Sequence, residues 1–154
     1  FSFSFFSSII IKYNYILYYL LILFKYIHIY MYKKLLLLAI IFIIVDALFL
    51  YLMSNNFQTM IKKIQGTPLV MKIFPTIFSY LILISSLYYF VIHKKGSLFD
   101  AFLLGFFIYG VYETTNMAIF KDWNVYVFII DLTWGGFLFL ITTYLYQKSI
   151  KYII

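Results

Sequence analysis

The chain has 154 residues, 66% of them hydrophobic and 11% charged, and its net charge of +7 is carried by lysine without arginine. A soluble domain is nearer half apolar and a quarter charged, so this composition excludes an ordinary water-soluble fold. With no cysteine, disulfides, thiolate metal sites and thiol chemistry are excluded as well.

Residues 1–30 are a low-complexity mixture of Phe, Ser, Tyr, Ile and Leu. Within them Ile16–Phe24 is apolar but too short to span a bilayer, with Lys12 and Lys25 bracketing the apolar region. Met31-Tyr32-Lys33-Lys34 ahead of Leu35–Leu38 reads as a start. Residues 1–30 are therefore expected to be an extension that is not part of the native protein. An additional interfacial or spanning helix is the other reading. A cleaved signal peptide is not expected, because the run after the lysines is long, contains Asp46 and lacks a small-x-small site.

The remainder, 31–154, is expected to be one all-α domain, an integral membrane bundle of four transmembrane helices. The first span is Leu35–Met53, ended by Ser54-Asn55-Asn56 and followed by a basic connection over Phe57–Gln65. Leu35–Val45 is apolar at every position, which no alternating β-barrel strand would be. Gly66-Thr67-Pro68 breaks the chain before the second span, Ile73–Ile92, with Pro75 in its first turn. The third span is Leu98–Phe120 and the fourth Asn124–Tyr146. Lysines cluster at the ends of these runs and not along a nucleic-acid-binding face, so the expected partner is the lipid bilayer and not nucleic acid. Lys33, Lys34, Lys94, Lys95, Lys148 and Lys151 outnumber Lys62, Lys63, Lys72 and Lys121 across the two sides, favouring cytoplasmic termini.

The chain holds five acids, and three lie inside apolar runs: Asp46, Glu113 and Asp131. Each stands seven residues from the outer end of its span, about 10 Å deep at the helical rise. On the third helix Gly105, Tyr109, Tyr112, Glu113 and Asn116 share a face; on the fourth, Asn124, Asp131, Trp134/Gly135, Leu138 and Thr142 do. The small residues Gly110, Thr114 and Ala118 recur every four positions, and with Gly105 and Gly135-Gly136 they are expected to let helices approach closely. A polar layer is thus expected from Asp46, Tyr109, Tyr112, Glu113, Thr115, Asn116, Asp131 and Trp134.

An acid at a helix centre costs about 2.5–3.5 kcal/mol on insertion, against about 0.3–0.6 returned by each Leu, Ile or Phe. Each helix can carry one. Three carboxylates close together in low dielectric cannot all be ionised without a counter-cation, and no lysine is placed to supply one. The cation is a proton, a bound ion or a positively charged substrate, unless the acids are neutral hydrogen bonders. His28 and His93 lie far apart, so a histidine metal site is not expected, and neither is any cofactor.

The pattern Gly105-x3-Tyr109-x2-Tyr112-Glu113-x-Thr115-Asn116-x-Ala118, then Trp123, then Asp131-x2-Trp134-Gly135 resembles the small membrane proteins of DUF2177, a family with no assigned activity. Asp46-Ala47-Leu48-Phe49-Leu50 is similar to that family's first-helix motif, in which Trp usually stands at Phe49 and Asp usually stands at Glu113. The resemblance covers Lys33 to Tyr146 and implies four transmembrane helices. Glu for Asp lengthens the arm, and Phe for Trp removes an N–H near Asp46.

Two functional classes follow. One is a small transporter or channel-like component, oligomeric with copies of itself, that binds a proton or small cation at the acidic layer. The other is a structural or partner-binding membrane protein whose acids are neutral interhelical hydrogen bonders. An intramembrane enzyme using a carboxylate pair is less favoured, since no loop carries a headgroup-binding motif.

Overall fold

The computed structural model describes residues 2–153 and is helical, with no strand among the described residues. Four helices follow one another: α1 (Ser2–Gln65), α2 (Ile73–Leu87), α3 (Leu98–Ile119) and α4 (Val125–Ile153). α2 continues as a π-helical turn, Tyr88–Ile92. The chain divides into two units, residues 1–36 and 37–154. In the first, the side chains from Tyr18 to Tyr26 are exposed, and Lys34 Nζ sits 4.1 Å from the centre of the Tyr30 ring. Lys12 and His28 lie outside the residues whose side chains are described.

Three helical segments are long and apolar enough to cross a membrane: Tyr18–Gln65, Ile73–Ile92 and Val125–Tyr152. α3 has the length, 22 residues, but carries Asp100 and the polar run Glu113–Asn116. It is laid against α4 along its length, the closest backbone packing between helices in the structure. The protein is an all-α membrane bundle.

The helix ends show where local chemistry outweighs composition. α1 does not stop at Ser54-Asn55-Asn56 but runs to Gln65. Ser54 Oγ donates to the Tyr51 carbonyl at 2.8 Å, so its hydroxyl is satisfied without leaving the helix. The first residue able to end the helix cheaply is Gly66, whose φ of +75° closes it, with its N–H donating to the Lys62 carbonyl at 2.9 Å. Phe57–Gln65 is therefore helix and not a loop. α4 likewise passes Tyr146 and continues to Ile153, since Gln147 and Lys148 are good helix formers and Lys151 suits its last turn. α3 begins where the sequence places it, because Ser97 and Asp100 form a capping box: Asp100 N–H donates to Ser97 Oγ, and Ser97 N–H donates to Asp100 Oδ2 at 2.7 Å.

Within 37–154 the bundle is split along its length. One half is a dry core of Leu38 and Phe42 from α1, Leu87 from α2, Ala101 from α3, and Leu138 and Phe139 from α4. The Phe42 and Phe139 rings meet edge to face at 5.4 Å. The other half holds the polar residues. Along α1 the buried stripe Leu38, Phe42, Asp46, Phe49 passes from one half to the other at helical spacing.

The α3–α4 contact depends on glycine. A Cβ on Gly105 would strike the Gly135 carbonyl, and one on Gly135 would strike the Tyr109 ring. Gly136 is covered by Phe102 in the same way. Gly110 faces only the end of the Leu132 side chain. Thr114 and Ala118 are exposed, so the close crossing runs through Gly105, Gly135 and Gly136 and not along the Gly110-Thr114-Ala118 row. We expect Gly105→Ala to lower stability in detergent micelles by at least about 2 kcal/mol, the cost of overpacking against rigid backbone. Gly110→Ala should shift it by less than about 1 kcal/mol, because a flexible leucine can yield. Unfolding followed by circular dichroism would read both, and equal effects would disprove the crossing.

Candidate functional site

All three intramembrane acids point inward, and each is buried: Glu113 is 0% exposed, Asp46 5% and Asp131 7%. Burying a carboxylate is tolerated only with hydrogen-bond partners, and aromatic residues supply them. Asp46 accepts from the Tyr80 hydroxyl at 2.7 Å through Oδ2 and from the Trp134 indole N–H at 3.0 Å through Oδ1. These two bonds tie α1 to α2 and to α4. Glu113 accepts from the Trp123 indole N–H at 2.7 Å through Oε2. That bond pins the α3–α4 loop back onto α3.

Glu113 Oε1 is buried and has no donor. The side chains of Glu113 and Asp131 are neighbours. Two neighbouring carboxyl groups in low dielectric repel each other when both are ionised. Asp46, Asp131 and Tyr109 line one cavity.

The acids do not form a single cage. Among the described residues no three histidine or acidic side chains come together as metal ligands. The arrangement is instead a carboxyl pair, Glu113 with Asp131, and a separately satisfied Asp46. Asp46 and Asp131, but not Glu113, line a cavity of about 500 Å³ together with Tyr80, Tyr109, Tyr112 and Trp123, with Leu50, Phe57 and Ile61 among its apolar residues. The segment after α1 folds over its mouth: the Leu69 N–H donates to Gln58 Oε1 at 3.2 Å, and Leu69 and Met71 line the cavity.

The other residues of the expected layer divide. Trp134 is a direct partner of Asp46, and its ring stacks on Phe49 at 4.3 Å with the planes 7° apart. Tyr109 and Tyr112 both line the cavity, although Tyr112 is 56% exposed on its outer side. Asn116 is half-buried, with Nδ2 lacking an acceptor. Thr115 is exposed and apart from the cavity. The end of α1 at Gln65 does not mark the outer boundary of its span as the sequence places it, near Met53. What brings Asp46 to the other acids is its place on the buried stripe of α1.

Three contributors escape a reading of the sequence. Tyr80 is one of many tyrosines, and only its spacing from Leu83, Ile84 and Leu87 marks it as inward-facing. Trp123 reads as a membrane-interface aromatic, while its N–H is spent on Glu113. Gln58 falls in a stretch that reads as a connection.

A helical bundle with apolar spans and an acid-bearing interior defines an integral membrane protein. Residues 29–147 match the family described as "Predicted membrane protein (DUF2177)", and the chain belongs to that family. No curated protein and no solved structure matches it.

Trp123→Phe should leave both Glu113 oxygens without a donor and destabilise the bundle by about 1–3 kcal/mol, the cost of an unsatisfied buried group. Adding Glu113→Met should recover most of that loss, because both partners are then apolar. A double-mutant cycle by chemical unfolding in micelles measures the coupling. Additive losses would show that the bond contributes nothing.

Proposed function

We propose that the buried acids form an intramembrane cation site, with the Glu113–Asp131 pair holding a proton at rest, in a small transporter or channel-like component. The observation that carries this reading is Glu113 Oε1, fully buried and without a donor, on a side chain that neighbours a second carboxyl group. A purely structural acid would have its oxygens satisfied, as Asp46 does. Ionisable groups inside a membrane bundle default to function, and transporters place them near the middle of the span. The cavity gives the pair access to exchange, since Asp131 lines it. Both termini are assigned to the cytoplasmic side by the lysine balance, and a homo-oligomer belongs to the same reading.

Asp46 favours the second reading, in which the acids are interhelical glue. Its two donors come from two other helices, and a bond of this kind is worth about 0.6 kcal/mol on average in a membrane bundle.

Infrared titration in reconstituted membranes separates the two, with Asp46→Asn, Glu113→Gln and Asp131→Asn as assignments. We expect one protonated carboxyl band at neutral pH that responds to added cation. It should lose one carboxyl's intensity in Glu113→Gln or Asp131→Asn and stay unchanged in Asp46→Asn. Three carboxyls that remain protonated throughout and ignore every cation would make the layer hydrogen-bonding structure only.

A further inference from the structure

The cavity is too large for the ion that the carboxyl pair alone would need. A proton or a bare alkali ion requires no space beyond its ligands, whereas about 500 Å³ lies in the range of organic ligand sites. Its ionisable acids and bases are of one sign: Asp46 and Asp131 are its acids, and no lysine or histidine is among its lining residues. Asp46 already has a donor on each oxygen, whereas among the described residues Asp131 has no hydrogen-bond donor, so Asp131 is the group left to meet a cation. Around it stand the rings of Tyr109, Tyr112 and Trp123, whose faces attract an organic cation.

A second cavity, of about 410 Å³, lies between α2 and α3. It shares Ser79, Leu83, Tyr109, Tyr112 and Asp131 with the first and adds only Ile82 and Ile108. Ile82 is exposed on the outer surface of α2, so this opening leads sideways to the region that lipid chains occupy. Asp131 stands where the two cavities meet.

We infer that this site takes an amphiphilic organic ammonium compound, its charged nitrogen at Asp131 among the aromatic rings and its apolar part lying between α2 and α3. The inference rests on the cation-site reading of the preceding section and names the substrate class for it. The ammonium supplies the positive charge that the shared proton otherwise supplies. On its arrival Glu113 and Asp131 can both be ionised, and the displaced proton leaves to water.

The chain carries its own reporters, because its two tryptophans, Trp123 and Trp134, each donate to one of the acids. The full chain in lipid nanodiscs would be titrated with hexylammonium chloride while tryptophan fluorescence is followed. Hexanol would serve as the control for partitioning into lipid, with sodium and potassium chloride as small-ion controls. We expect a saturable change with hexylammonium alone, weakened at least tenfold in Asp131→Asn. Ser79→Phe, which fills the shared opening and leaves every acid in place, should weaken it at least tenfold too and stands in if Asp131→Asn does not fold. A matching response to hexanol, or one unchanged in both variants, overturns the inference. So does a response to sodium or potassium that hexylammonium does not give, although the cation site then stands. If no cation alters the fluorescence while the infrared band still exchanges, the ammonium inference falls alone. Permanently protonated carboxyls overturn both.

Discussion

A carboxyl group inside a bilayer has no water to turn to, and the cost of leaving it unpartnered exceeds what several leucines return on insertion. The polar half of this bundle is arranged by that constraint. Tyr80 and Trp134 converge on Asp46, and Trp123 reaches Glu113. Tyrosine and tryptophan suit the task because each brings one donor on a large apolar body, so the donor itself carries no charge into the membrane. The remaining two acids avoid the problem. Asp100 caps α3 at an exposed position, and Asp122 pairs with Lys63 at 2.9 Å.

These hydrogen bonds matter more because backbone packing is uneven. α3 and α4 come together at glycines, close enough that no side chain fits between Gly105 and Gly135. The other helix pairs bring their backbones near one another at few points. α1 and α2 meet the hairpin through side chains: the edge-to-face Phe42–Phe139 contact, the dry core around Leu87, and the bonds at Asp46. A tight pair with two loosely apposed helices leaves space where the apolar core ends. The cavity is that space, and Asp46 and Asp131 border it because they lie just beyond the core on the same buried stripes.

How far the sequence speaks differs from level to level. The helices were legible because long continuous apolar runs, with a Gly-Thr-Pro break after the first, leave little choice. The inward direction of Asp46, Glu113 and Asp131 was legible because helical spacing groups them with other buried residues. Helix ends were not. Ser54-Asn55-Asn56 reads as a stop by composition, but polar residues in a helix stop it only when their side chains compete for the backbone, and Ser54 bonds within its own turn. Partners were not legible either, since spacing shows which face a donor is on but not which acid it reaches. Trp123 is the clearest case: it stands ten residues from Glu113, across a loop whose path the sequence does not give.

Phe49 shows how a departure from the family pattern can be absorbed. A tryptophan there would bring its own N–H near Asp46, and phenylalanine brings none. In this chain both Asp46 oxygens are already met by Tyr80 and Trp134, so the missing donor leaves no oxygen bare. Phe49 contributes its face instead, lying flat against Trp134 and fixing the plane from which the indole N–H points. Glu113 is a different matter. Its carboxylate accepts from the Trp123 indole through one oxygen and keeps the other buried without a donor, so one side chain anchors the loop while remaining half satisfied. The residue that holds the loop in place is thus itself part of the buried interior, which links the interior of the bundle to its rim.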